Sequence, residues 1–187
     1  MRFAKGHKEE TRRHIVQAAA ARFRTDGVEG TGIATLMEDA GLTHGGFYAH
    51  FSSKEALVRA ALEEGFAENA EKRAGHKDLE GLVRSYLRPG HRDTPGKGCI
   101  AAALIEEVAR GGTETRAVFT KQLRAATARI ATLLPAEWDT AQRQARAGAI
   151  FALLLGTLQM ARAAQDEAWS DALLKHGAEA ALRLAHS

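Results

Sequence analysis

The sequence predicts an all-α fold of about nine helices, on three observations. Alanine, leucine, arginine and glutamate dominate the 187 residues, with only 3 prolines. Apolar residues recur at helical spacing, as in Phe119, Leu123, Ala126, Ile130 and Leu133, which step by four, three, four and three. No stretch alternates convincingly with period two.

The elements follow in order. Ile15, Val16, Ala19, Ala20 and Phe23 place a first helix over about Lys8 to Thr25, closed by Asp26-Gly27 with Gly27 as a left-handed cap. A second helix follows Thr31, with Ile33, Leu36 and Met37 inward, and stops at Gly41, where positive φ permits a sharp turn. A short third helix begins after Thr43, anchored by Phe47 and Phe51. Ser52 with Glu55 forms a capping-box pattern opening a fourth helix with Leu57, Ala60 and Ala61 inward. A helix over about Leu79 to Leu87 precedes a loop at 88–97, and another covers about Gly98 to Arg110 before Gly111-Gly112 breaks it. The Phe119 stripe then marks a helix ended by Pro135. A long helix covers about Glu137 to Ala164 and a last one about Glu167 to Leu184.

Charge and composition narrow the function. The chain carries +3 overall, yet residues 1–24 hold seven Lys/Arg against two Glu, a local excess of +5. A basic front end favours a polyanionic partner. A single cysteine excludes an internal disulfide and a cysteine-rich zinc site. The 8 histidines show no i, i+3 or i, i+4 ligand spacing, so no metal and no cofactor are expected. The N-terminus lacks the apolar region of a secretory signal, and the apolar run between Arg146 and Arg162 is too short to span a bilayer, which predicts a cytoplasmic protein without membrane contact. No nucleophile, base and orienting group, and no phosphate loop, suggests an enzyme.

Residues 31–51, TGIATLMEDAGLTHGGFYAHF, have helix-turn-helix grammar: a helix, a glycine turn and a second short helix. That second helix presents Thr43, His44, Gly45, Gly46, Tyr48 and His50. No acid occurs from Ala40 to Lys54, as a surface facing phosphate requires. The glycine pair 45–46 suits close backbone approach to DNA.

The stretch from Gly27 to Leu57 resembles the DNA-binding domain of the TetR/AcrR family of bacterial transcriptional regulators. The resemblance rests on Gly27, Thr31, Ile33, Leu36, Ala40-Gly41-Leu42-Thr43, Gly45, Phe47-Tyr48-Ala49-His50-Phe51 and Ser53-Lys54-Glu55-Ala56-Leu57. It covers about the first third of the chain. It implies a helix-turn-helix DNA-binding domain at 1–54 and a helical ligand-binding and dimerisation domain at 55–187. It also implies DNA contact by Thr31, Gly32, Thr43, His44, Gly45, Gly46, Tyr48, His50 and Lys54. His44 and Gly46 depart from the usual lysine and hydroxyl residues, which predicts firm phosphate positioning with few base contacts. The basic arm at 2–13 could add contacts.

The same resemblance implies a homodimer on double-stranded operator DNA, released by a small-molecule inducer. Small residues Ala145, Gly148, Ala152 and Gly156, with the stripe Trp169, Leu173, His176 and Ala180, are the expected dimer face. Cys99, Ala103, Glu106, Phe119, Leu123, Phe151 and Leu155 are the expected ligand lining, each of which could equally be plain core. Glu106-Glu107 reads as a solvated acidic face. Cys99, after a glycine-rich loop and beside Lys97, could be a thiolate sensor of electrophiles, or a small buried apolar residue. The alternative is a helical small-molecule or electrophile (Cys99) sensor with weak or lost DNA binding in its front module, supported by the glycine pair.

Overall fold

A computed structural model describes the backbone of residues 3–185 and the side chains of residues 6–185. Arg2 of the basic arm lies outside the described residues, as does the side chain of Lys5. Nine α-helices and two short 3-10 segments occur among the described residues, and no strand does. The helices are α1 (Phe3–Asp26), α2 (Ile33–Asp39), α3 (Lys54–Ala74), α4 (Leu79–Tyr86), α5 (Pro89–Arg92), α6 (Ile100–Arg110), α7 (Thr113–Ala131), α8 (Thr140–Ala163) and α9 (Glu167–Arg183). The 3-10 segments are His44–Ala49 and Pro95–Lys97.

The expected all-α fold is therefore present, with local differences. The region 88–97 is not a plain loop: it winds into α5 and the second 3-10 segment. Helix α3 starts one residue later than a Ser52–Glu55 box requires. Ser53 is its cap, accepting from the Ala56 amide at 3.1 Å, and Glu55 is thereby freed for another partner. The paired cap appears instead at α8, where Asp139 and Gln142 exchange bonds.

Ile15, Ala19 and Phe23 of α1 pack with Leu36 and Met37 of α2, Phe47, Phe51 and Leu57 into one buried cluster. Gly27 and Gly41 both adopt positive φ, +74° and +71°, so the two sharp turns of this unit fall where the sequence supplies glycine. Helix α3 packs against α1 on one side and against α6 and α7 on the other. It thus belongs to both halves of the molecule, and the expected boundary at 54/55 falls inside its first turn.

Close approach at α3 depends on Gly65. A Cβ there would meet Ile100 of α6 and the Arg24 guanidinium within 3 Å. Arg24 is buried and pairs with Glu68 at 2.7 Å, fastening α1 to α3. A second cross-helix pair, Arg22 to Asp39 at 2.7 Å, sets α2 against α1 and holds the Asp39 carboxyl below its usual range. Helices α8 and α9 form the far layer. Gly177 of α9 sits directly on Thr157 of α8, leaving no room for a side chain.

Candidate nucleic-acid interface and effector domain

The short second helix of the helix-turn-helix is a 3-10 turn, not an α-helix. Its glycine pair explains this: Gly45 and Gly46 weaken α-helical pairing, and the bonds run Gly46 N–H to Thr43 C=O and His50 N–H to Phe47 C=O. Thr43 stands at the cap position, but its hydroxyl makes no capping bond. Phe47 is fully buried and stacks with Phe51 at 5.7 Å, which anchors the turn from beneath.

What remains outward is small and polar. Thr43, His44 and Gly45 are exposed, and Tyr48 is 66% exposed, with its ring edge on Phe47. Gly46 is half-buried over Met37. His50 and Lys54 are half-buried at the exit of the turn.

Helix α1 completes the surface with residues that the motif alone does not single out. The Arg12 guanidinium lies 4.7 Å over the Phe51 ring. Burial, then the neighbouring Lys8 and Arg12 charges, lowers the His50 imidazole below its ordinary value, so the ring is neutral at pH 7. Its Nδ1 is buried without a hydrogen-bond partner. Neither Lys8 nor Arg12 has a carboxylate at ion-pair distance among the described residues. The result is a basic corner of Lys8, Arg12 and His50 beside an exposed tyrosine, whereas Lys54 lines a neighbouring cleft together with Glu55 and Glu107.

Thr31 departs from the expectation of phosphate contact. It is 2% exposed, and its hydroxyl donates to the Gly27 carbonyl at 2.7 Å. It builds the turn after α1 and offers no side chain to a phosphate. Gly32 is exposed at the start of α2 and supplies only backbone.

This geometry coincides with known sequences. Residues 15–61 match the family model of bacterial regulatory proteins, tetR family. The uncharacterized HTH-type transcriptional regulator YfiR of Bacillus subtilis is 34% identical over 86 residues, which are 44% of this chain and 42% of that protein. The HTH-type transcriptional regulator TtgR of Pseudomonas putida is 41% identical over 63 residues, 34% of this chain and 30% of that protein. The matches thus span less than half of these relatives' lengths. Over the whole chain, the crystal structure of a TetR transcriptional regulator from Chloroflexus aurantiacus superposes with a TM-score of 0.71 at 25% identity, covering 100% of this chain and 96% of that one. Residues 15–61 thus match the DNA-binding region of the tetR family, and the whole chain shares the fold of a TetR transcriptional regulator. Reduced NemR of E. coli shares the fold, with a TM-score of 0.75 at 21% identity over 94% of this chain and 97% of that one.

Beyond the region matched by the family model, the expected ligand lining disperses. Cys99, Phe119, Phe151 and Leu155 are buried in the shared core, and Ala103 and Leu123 are half-buried against it. Phe119 meets Phe66 edge-on at 5.6 Å. Glu106 is not a lining residue: it is exposed and pairs with Arg110 at 2.6 Å. Leu104 and Val108 define the buried face of α6, and a residue midway between them points away from it. Glu107 needs the opposite correction. It is half-buried, not solvated, and its carboxylate accepts from the Val28 and Glu29 amides.

The open space lies elsewhere. Cavities of 130 and 240 Å³ border α4 and are lined by none of those seven residues. A cleft of 320 Å³ separates the helix-turn-helix from the α6–α7 turn, between Val28, Lys54, Glu55, Glu107 and Thr115. There the freed Glu55 accepts from the Thr115 hydroxyl at 2.9 Å.

Cys99 is 1% exposed. Burial pushes its thiol up, but the Arg73 guanidinium, the Tyr86 hydroxyl and the Ala102 amide outweigh that and hold it below its ordinary value. Its own backbone amide donates to His91 Nε2 at 3.0 Å, and His91 Nδ1 lies 2.6 Å from the Tyr86 carbonyl. Those two partners require the neutral Nδ1–H tautomer. Burial is the main reason that His91 titrates near pH 4.

None of the expected dimer residues is fully buried in the chain's own core. Ala145 and Ala152 are exposed, and Gly148 and Gly156 face open space. Trp169 is 54% exposed, His176 is exposed, and Leu173 and Ala180 are half-buried. The buried face of α9 is a different stripe, Ser170, Leu174, Ala178 and Ala181. Among the described residues no helix is long and apolar enough to cross a membrane, and no cluster of three metal-ligating side chains occurs.

Proposed function

We propose that this chain is a cytoplasmic, DNA-binding transcriptional regulator. It acts as a homodimeric repressor on a palindromic operator and is released by a small molecule in its C-terminal domain. The observation that carries the reading is the exposed face of the glycine-bearing turn, Thr43, His44 and Tyr48, with Lys8 and Arg12 of α1 beside it. Tyr48, His50, Lys54 and Arg12 set register on phosphates, and Gly45 lets the backbone approach the groove. With so few side chains aimed at bases, much of the sequence preference comes from DNA shape.

One such module reads a short half-site, so function needs two copies on a two-fold axis. The uncovered face of α8 and α9, with its open glycines and exposed Met160 and Trp169, supports pairing through these two helices. Binding, not catalysis, is the work of the chain.

The test is titration of the full chain against the DNA upstream of its own gene at several salt concentrations. The reading expects sub-micromolar affinity that falls steeply with salt. Salt-insensitive binding, or none in dilute buffer, overturns it.

A further inference from the structure

The two cavities that border α4 share a wall. The smaller, between α3, α4 and α7, is lined by apolar Phe66, Ala70, Ala126 and Ile130. The larger, between α3, α4 and the 88–97 segment, is lined by Lys72, Tyr86, Arg88 and Lys97. Arg73 and Leu82 line both. Neither lining includes an aspartate or a glutamate, while together they include five Lys or Arg residues.

Two further observations point to an occupant. The half-buried Arg73 lies over the rings of Tyr86 and Phe151, at 5.1 and 5.6 Å, and has no carboxylate partner among the described residues. The guanidinium also bonds the Cys99 thiol, and its remaining donors suit a planar oxyanion. The Tyr86 hydroxyl, on a residue 4% exposed, is buried beside the Cys99 thiol with no oxygen or nitrogen partner. A buried hydroxyl left unmatched is costly unless something else fills its place.

We propose that the paired cavities form one effector site for an amphipathic organic anion. Its carboxylate, or a comparable oxyanion, is held by Arg73 and Lys97 with the Tyr86 hydroxyl donating to it. Its short apolar body lies against Phe66 and Ile130. A cationic effector meets five like charges here, and a neutral one leaves Arg73 without an anionic carboxylate. The proposal rests on the reading of the chain as a ligand-responsive regulator and supplies the chemical class of that ligand.

Calorimetric titration of the full chain with octanoate, octanol and octylammonium tests it. Octanoate binds best, and added salt weakens it. Arg73→Gln lowers octanoate affinity about tenfold or more, as loss of a charge-assisted bond implies. Lys97→Gln, at an exposed position that does not endanger folding, lowers it by a smaller factor. Arg84→Gln, outside both cavities and paired with Glu80, leaves it unchanged. Octanoate that fails to bind, binds no better than octanol, or is indifferent to both cavity substitutions overturns the site. Fluorescence anisotropy on labelled upstream DNA, read alongside, separates the two ideas. DNA binding without octanoate binding removes the anion site alone, and octanoate binding by a chain that ignores DNA removes the regulator alone.

Discussion

The Glu107 carboxylate accepts the Val28 amide through both of its oxygens, at 2.9 and 3.1 Å, and the Glu29 amide at 3.3 Å. Glu107 is on α6, and Val28 lies in the turn between α1 and α2. One side chain of the C-terminal domain therefore holds the backbone from which the helix-turn-helix starts. Gly27 makes this possible, because a Cβ there would lie 3.0 Å from Glu107 Oε1.

Glu107→Ala removes the acceptor from the half-buried Val28 amide and the exposed Glu29 amide and costs about 1 kcal/mol or more. Glu107→Gln keeps one acceptor oxygen and costs less. Urea unfolding followed by circular dichroism checks the order wild type, Gln, Ala. If the Ala chain is as stable as wild type, the contact contributes nothing to folding.

Thr31 and Lys54 separate turn-building from phosphate contact. Thr31→Val leaves the Gly27 carbonyl without its donor and costs about 1 kcal/mol of stability, with no change in the salt slope of DNA binding. Lys54→Gln does the reverse: stability holds, and the slope of log K against log salt falls by about one. Anisotropy titrations over a salt series measure both. A changed slope for the valine variant returns Thr31 to the DNA surface.

Most of the fold is legible in the sequence because local chemistry specifies it. Ile15, Ala19 and Phe23 sit at helical spacing, and Gly27 and Gly41 occupy the two positive-φ turns. The contacts that join the domains are not legible. Glu107 looks like half of an acidic surface until α6 is phased by Leu104 and Val108, and its amide partners come from 79 residues away. The ligand lining is obscured for a related reason. Large inward residues such as Phe119 and Phe151 fill the core, whereas space opens where Ala67 and Ala70 face Ala125 and Ala126. Paired alanines are the available signal.

Glycines on the far layer divide into two kinds, and substitution tells them apart. Gly177 lies on Thr157, so Gly177→Ala strains the α8–α9 contact and lowers the melting temperature. Gly156 has open space beyond it in the single chain, where a larger residue is neutral or slightly favourable to the helix. In a dimer closed through α8 and α9, Gly156→Leu forces the helices apart. Light scattering should then report monomer for the leucine variant and dimer for wild type. A dimer of unchanged strength places the interface elsewhere.

His91 makes stability depend on pH. Its ordinary value is 6.5, and in the folded chain burial lowers it to about 4. Between these values the unfolded chain binds a proton that the folded chain refuses, so acidification favours unfolding. The contribution is fully present above pH 6.5 and is lost as pH falls toward 4. Nearby Arg162, Arg73 and Arg88 act in the same direction. His50 is lowered as well, so it adds to the slope. His91→Phe keeps a ring beside Tyr86 but strands the Cys99 amide, so it is less stable at neutral pH. It also flattens the melting-temperature profile between neutral pH and about 4. Calorimetric scans of wild type, His91→Phe and His50→Gln across that interval apportion the slope. A profile as steep in His91→Phe as in wild type refutes the assignment to His91.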